Sequence, residues 1–215
     1  METDSLVPTS TAPVVYTQLS SSLARGMEKA PPAPGNGLEF LRKSIASDML
    51  DHLIAGHETT GIALTYTMYE LSMHPAFQIS LRAELRSINP PLTFPSPASV
   101  PPSALPRALD ALPLLNAALY ETLRLYPPGA AGQPRVVPCG GAKLSGFTLP
   151  EGVVAHAAPY SVHRHEEVFE RAEEWIPERW MGERKKEVEE WFWTFGSGSR
   201  GCIGKAFAVQ GGFFA

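Results

Sequence analysis

Apolar residues recur at helical spacing through the first half of the chain. Leu41, Ile45, Met49 and Leu53 fall four apart, and Leu38 and Leu50 widen the stripe. No proline interrupts residues 38–73, so the pattern predicts one helix, on the order of 50 Å long at about 1.5 Å per residue. His74-Pro75 ends it, and Pro75 suits the first position of a following helix over about 75–88. A third helix is predicted over 114–126, stopped by Pro127-Pro128. From Gln133 the texture changes. Residues 135–137, 142–147 and 153–156 are short runs split by Gly140-Gly141 and Pro150-Glu151-Gly152, which predicts strands and turns. Residues 161–169 fit one short helix. Residues 170–200 carry tryptophans without a period, as an irregular packed segment would, and a last helix is expected to open at Cys202. Long helices followed by a little sheet give a fold that is mainly α with a minor β part.

Composition narrows the function classes. The 215 residues fit one domain, and 44 % apolar content is enough for a core. Lys and Arg total 18 against 22 Asp and Glu, a net charge of −4 that argues against a basic nucleic-acid-binding module. No uninterrupted apolar run is long enough for a membrane span, and no signal-peptide pattern opens the chain. Two cysteines make no disulfide framework, so a reducing, intracellular setting is expected. Proline is the outlier: 21 residues, roughly twice the usual share. Five lie in the first 34 residues among Ser and Thr, so 1–36 is expected to be a loose Pro/Ser-rich lead-in. Eight more run from Pro90 to Pro113 and predict a loop.

The sharpest local feature is Phe195-Gly196-Ser197-Gly198-Ser199-Arg200-Gly201-Cys202-Ile203-Gly204. A cysteine that ligates a flat cofactor needs backbone close to the metal, hence glycines on both sides, and a cation to balance carboxylates. A helix start beside Cys202 adds the positive end of a dipole next to the sulfur. A glycine-rich turn around a buried cysteine is the alternative. Matched at Phe195, Gly198, Arg200, Cys202 and Gly204, the loop resembles that of the haem-thiolate cytochrome P-450 family. The resemblance implies haem b (iron protoporphyrin IX) as cofactor and Cys202 as its axial iron ligand. It also implies Arg200 as a donor to a haem propionate, and Phe195 packed beneath the haem by the sulfur.

Three further motifs follow the family's order. Ala55-Gly56-His57-Glu58-Thr59-Thr60 pairs β-branched residues that sit poorly in a helix, and Gly56 leaves room beside them. A helix kink without chemistry is one meaning; the resemblance implies an acid–alcohol pair, Glu58 and Thr59, that delivers protons to bound oxygen. Glu121-Thr122-Leu123-Arg124 places opposite charges on one helix face, as Glu39-Phe40-Leu41-Arg42 also does. Glu39–Arg42 is expected to be a solvated pair. With Pro177-Glu178-Arg179-Trp180 downstream, the resemblance implies a buried ion triad of Glu121, Arg124 and Arg179 that braces the cysteine loop. Arg135 either edges a strand or, by resemblance, reaches a haem propionate. His163-Arg164 is expected to pack and pair ions. His156, His163, His165 and Cys139 match no compact zinc spacing, and Arg184-Lys185-Lys186 is expected to be a solvated loop.

The resemblance therefore implies the carboxy-terminal portion of the family's fold: long distal helix, Glu-x-x-Arg helix, small β region, irregular meander and cysteine loop. Residues 37–215 are expected to be a partial catalytic domain, truncated at both ends. The implied function is a monooxygenase inserting one atom of O₂ into a small apolar organic substrate, with electrons from a separate NADPH-dependent reductase. Two alternatives stand beside it: an inactive piece that binds haem weakly or not at all, and a haem-thiolate isomerase or dehydratase. Intact relatives are often anchored to the endoplasmic-reticulum membrane, and no such anchor is expected here.

Overall fold

The computed structural model describes residues 14–29, 37–88 and 108–213. The chain divides into two compact units, residues 1–57 and 58–215. In the first unit, helix α1 (Val14–Lys29) occupies much of what the sequence predicts as a loose lead-in. Val15, Leu19 and Leu23 lie four apart and supply the period, which Ser20-Ser21-Ser22 and Gly26 dilute with weak helix formers. Helix α2 (Gly37–Met73) follows the predicted bounds to within a residue, and the unit boundary falls inside it. Glu39 and Arg42 are exposed as expected, but Glu39 pairs with Lys43, at 2.7 Å, one residue further along the helix. Of the proline-rich loop expected after Pro90, residues 89–107 lie outside the described part.

The second unit is organised around one buried helix. Proline opens both α3 (Pro75–Arg86) and α4 (Pro113–Leu125) at a position whose amide would have no helical partner. Helix α4 leaves helical geometry at Tyr126 (φ −123°, ψ 61°), because the following proline excludes it. Its residues enter three apolar clusters. Leu119 and Leu123 meet Ala63 of α2, Ile88, Leu109 and Leu112. Ala117 meets Val168, Phe169, Ala172, Trp180 and Val188, while Ala118 and Leu125 meet Trp175. A helix buried on all sides must satisfy its ends internally. At its start Glu84 of α3 accepts from the amides of Leu114 and Leu115 at 2.8 and 2.9 Å.

Two small antiparallel pairs make up the β part: β1 (Arg135–Val136) with β4 (Val154–Ala155), and β2 (Ala142–Leu144) with β3 (Phe147–Leu149). The run predicted as one strand over 142–147 is instead a hairpin, turning at Ser145 (φ 47°) and Gly146 (φ 85°). Both positive φ angles match the twist of paired strands. The helix expected over 161–169 is one turn, α5 (Pro159–Val162). Residues 170–200 are irregular as predicted, with a 3₁₀ turn at Pro177–Trp180 and a short helix α6 (Lys185–Trp191). The basic run expected as a loop opens α6: Arg184 pairs with Glu187 at 2.8 Å and Lys185 with Glu189 at 3.6 Å. Helix α7 (Lys205–Phe213) begins three residues after Cys202 rather than at it. Gly211 and Gly212 lie within it, although glycine is a weak helix former.

Candidate functional site

Glu121 is the electrostatic centre of the second unit and is fully buried. Arg124, one turn later on α4, donates Nη2–H to Oε1 and Nε–H to Oε2, both at 2.9 Å. Arg179, carried by the 3₁₀ turn, adds Nε–H to Oε1 at 3.0 Å. The structure thus brings together the three residues expected to form an ion triad. Two more donors complete the carboxylate: the Ile176 amide on Oε1 at 2.9 Å and the Trp180 indole on Oε2 at 2.8 Å. Arg124, also fully buried, directs its remaining N–H groups to the carbonyls of His163, Ala172 and Glu174 at 2.8–3.0 Å. All five guanidinium N–H groups have acceptors. One arginine thereby ties three points of the meander to α4.

The cysteine loop hangs from the same helix. Phe192 and Phe195 pack on the cluster that holds Leu119 and Leu123, as does Val209 of α7 on the far side of Cys202. Ala63 of α2 belongs to that cluster too, so one apolar contact set joins α2, α4 and both flanks of the loop. Within the loop the Cys202 amide donates to the Phe195 carbonyl at 2.7 Å, the Gly201 amide to Gly198 at 3.1 Å, and the Gly196 amide to Trp193 at 3.0 Å. Gly196 and Gly198 sit at φ +64° and +61°, where a side chain strains the backbone. A Cβ on Gly204 would meet the Cys202 sulfur at 3.8 Å. The Cys202 thiol is free and exposed, beside exposed Ile203, Phe207 and Arg200.

The other expected site residues lie on α2 and β1. Glu58 and Thr59 are in a stretch of α2, residues 51–59, that is exposed throughout, five and four residues before Ala63. Arg135 is exposed on β1, where it donates to the Pro134 carbonyl at 2.9 Å and to Gln133 Oε1 at 3.3 Å. No hydrogen bond among the described residues joins it to the cysteine loop. Two clefts, of about 420 and 520 Å³, flank the 3₁₀ turn, one beside Trp180 and one beside Arg179; neither is lined by the cysteine loop.

A family model, described as Cytochrome P-450, matches residues 21–213. The chain belongs to the cytochrome P-450 family. Among curated relatives it is 37 % identical, over 81 % of its own length, to the cytochrome P-450 monooxygenase efuB of Hormonema carpetanum. It is 33 % identical over 74 % to penB of Penicillium thymicola, and 31 % over 82 % to avaI of Aspergillus versicolor, both also named cytochrome P-450 monooxygenases. The matches cover 34, 34 and 44 % of those proteins. The chain thus spans about a third of the length of most curated relatives it matches.

Against the haem of a cytochrome P-450, the donor set fits. Among the described residues no group of three or more His, Cys, Asp or Glu side chains converges as a metal site. A haem iron takes four ligands from its own ring, so a single protein donor, and not a cluster, is what it asks of the chain, and the free, exposed thiol of Cys202 is a donor of that type. Glycine backbone around that thiol leaves space for a flat ring, and exposed Arg200 and Arg135 are cations suited to its carboxylates.

Sequence reasoning missed several members of this P-450 network. Trp180 and the Ile176 amide complete the Glu121 carboxylate, and Thr194 donates its hydroxyl to the Leu123 carbonyl at 2.9 Å. An aromatic directly after Arg179 was the available signal for Trp180. A backbone amide such as that of Ile176 leaves none.

Proposed function

We propose that this chain carries the haem-thiolate site of a monooxygenase that inserts one atom of O₂ into a small apolar organic substrate, with haem b as cofactor. The observation that carries the reading is the free thiol of Cys202, held in a closed glycine-rich loop and tied through one apolar cluster to the helix of the buried Glu121 ion network. When bound, haem supplies the redox chemistry that activates O₂, and a thiolate ligand donates electron density to its iron.

The chain's own residues hold and orient. Cys202 would hold the iron, and Gly198 and Gly204 would keep side chains away from the ring. Phe195 shields the sulfur from water on the side facing the core, where its ring is already packed. Arg200 and Arg135 would hold the propionates as planar donors, Arg135 in place of its contacts with Gln133 and Pro134. Glu58 and Thr59 would hold and move protons between solvent and the site, the carboxylate oxygens accepting and the Thr59 hydroxyl relaying. Glu121, Arg124 and Arg179 touch neither cofactor nor substrate and brace the meander. Electrons come from a separate NADPH-dependent reductase, and the setting is intracellular.

An absorption spectrum of the reduced, CO-treated protein tests this. The band of thiolate-ligated haem is expected from the wild-type chain and none from Cys202→Ser; no such band from the wild type sinks the reading. A second reading is favoured by the exposure of Ile203 and Phe207, 85 and 80 %, on the segment that holds the cysteine. On that reading the chain alone binds haem weakly and turns nothing over. Haem titration of this chain beside a version of relatives' full length separates the two, equal stoichiometric binding counting against weak binding.

A further inference from the structure

The last carbonyls of helix α4 have no later helical turn to satisfy them, and those of Leu123, Arg124 and Leu125 have each found a side-chain partner. The Tyr126 amide closes the last helical bond, to Thr122 at 2.8 Å, and the Thr194 hydroxyl donates to Leu123 at 2.9 Å. His163 Nδ1 reaches the Arg124 carbonyl at 3.0 Å, and Arg164 Nη2 the Leu125 carbonyl at 3.0 Å. Arg164 is also held by Glu173, at 2.9 Å, but only His163 is attached as well to the segment that leads to Cys202. Its Nε2 lies 2.8 Å from the amide of Trp193. That amide can only donate, so Nε2 is the acceptor, and the ring proton sits on Nδ1, donated to Arg124.

The ring is fully buried, stacked on Phe192 at 5.5 Å and 6° and edged by Phe169 at 6.1 Å. Its own carbonyl accepts from Arg124 Nη1 at 2.9 Å. The residue is thus gripped by the ion network on one side and grips the loop on the other.

We propose that His163 is the positioning residue of the cysteine loop: its imidazole bridges the Arg124 carbonyl to the Trp193 amide, at the point where the chain leaves the core towards Cys202. The bridge is a property of the polypeptide. Its bearing on the cofactor rests on the reading of Cys202 as the iron ligand.

No other side chain reproduces this bridge, because donor and acceptor lie at two corners of one rigid ring. Phenylalanine keeps the stack and leaves both backbone groups unpaired. Asparagine places a polar atom near Nδ1 only, and glutamine near Nε2 only. Protonation would break the Trp193 contact, since imidazolium has no acceptor. Burial holds the His163 pKa down at about 4. Arg124 and Arg164 push the same way, while the Arg124 backbone bond and Glu121 oppose them; the flanking Phe169 and Phe192 carry no charge. The bridge is therefore neutral at physiological pH and opens on acidification.

Native-state hydrogen exchange of the full chain tests the bridge without cofactor. The variants are His163→Phe, His163→Asn and His163→Gln, with Val188→Ala in a neighbouring cluster as a control for general loss of core stability. Relative to α4 amides, exchange at Trp193 and Cys202 is expected to rise about ten-fold in the Phe and Asn variants, the effect of one lost buried hydrogen bond. Glutamine should restore protection at Trp193, and Val188→Ala should leave the ratio unchanged. After haem loading, the thiolate band should weaken in the order Gln, Asn, Phe. Loop protection in His163→Phe that matches Val188→Ala overturns the proposal. A wild-type chain that shows no thiolate band defeats the ligand reading alone, and the exchange pattern still decides the bridge.

Discussion

Replacing Arg124 with lysine keeps its charge and removes its fork. In the wild type five N–H groups meet five acceptors: the two Glu121 oxygens and the carbonyls of His163, Ala172 and Glu174. An ammonium offers three donors from a single nitrogen, so at least two of the five buried contacts are lost. Each lost buried contact costs about 1–3 kcal/mol, which makes the loss about 2–6 kcal/mol. That is a large share of the roughly 5–15 kcal/mol by which a domain is stable. Arg42→Lys, on the exposed copy of the same spacing, is the matched control. Glu39 already pairs with Lys43, and a surface change of this kind stays within about 0.5 kcal/mol. Urea unfolding followed by tryptophan fluorescence reads both, because Trp175 and Trp180 are buried beside the network. An Arg124→Lys loss below about 1 kcal/mol, or one equal to that of Arg42→Lys, refutes the claim that the fork matters.

Three further outcomes are expected. His163 has an ordinary pKa of 6.5 and a native one of about 4, so between these values the unfolded chain binds a proton that the native chain refuses. Stability is then full above pH 6.5 and falls by about 3 kcal/mol as the pH drops towards 4; urea midpoints across that window measure it, and His163→Gln should flatten the slope. Glu84→Gln turns a two-oxygen acceptor into one oxygen and one amide against the Leu114 and Leu115 N–H groups, costing about 1–2 kcal/mol and lowering Tm. Ser145→Asn, at a position with φ 47°, should add about 0.5 kcal/mol by suiting the left-handed turn better, read as a rise in urea midpoint.

The sequence made the long helices and the candidate cysteine visible because each is written locally. Prolines 75 and 113 mark helix starts, four-residue apolar spacing marks α2, and the motif around Cys202 lies within ten residues. Glu121, Arg124 and Arg179 were legible only jointly, since the spacing of Glu121 and Arg124 is repeated at Glu39 and Arg42, which face solvent. The hairpin at Ser145-Gly146 was hidden because its turn interrupts an otherwise strand-like run. Helix α1 was hidden by three consecutive serines. The contacts that close the ends of α4 had no local signature, since Glu84 and Thr194 lie 30 and 71 residues from the groups they cap.

That separation bears on the order in which the chain can be assembled. Residues 113–125 emerge from a ribosome with a start already provided for, because Glu84 has been synthesised before them. Their C-terminal end is open at that moment. The Arg124 and Leu125 carbonyls wait for residues 163 and 164, and the Leu123 carbonyl waits for residue 194. Buried unpaired carbonyls are costly, so the helix cannot settle in its final apolar surroundings until the segment leading to Cys202 has left the exit tunnel. A nascent chain stalled after residue 170 would hold a loosely docked helix, and one stalled after residue 194 plus the tunnel length would hold a fixed one. Formation of the central helix and formation of the cysteine loop are, in time, a single event.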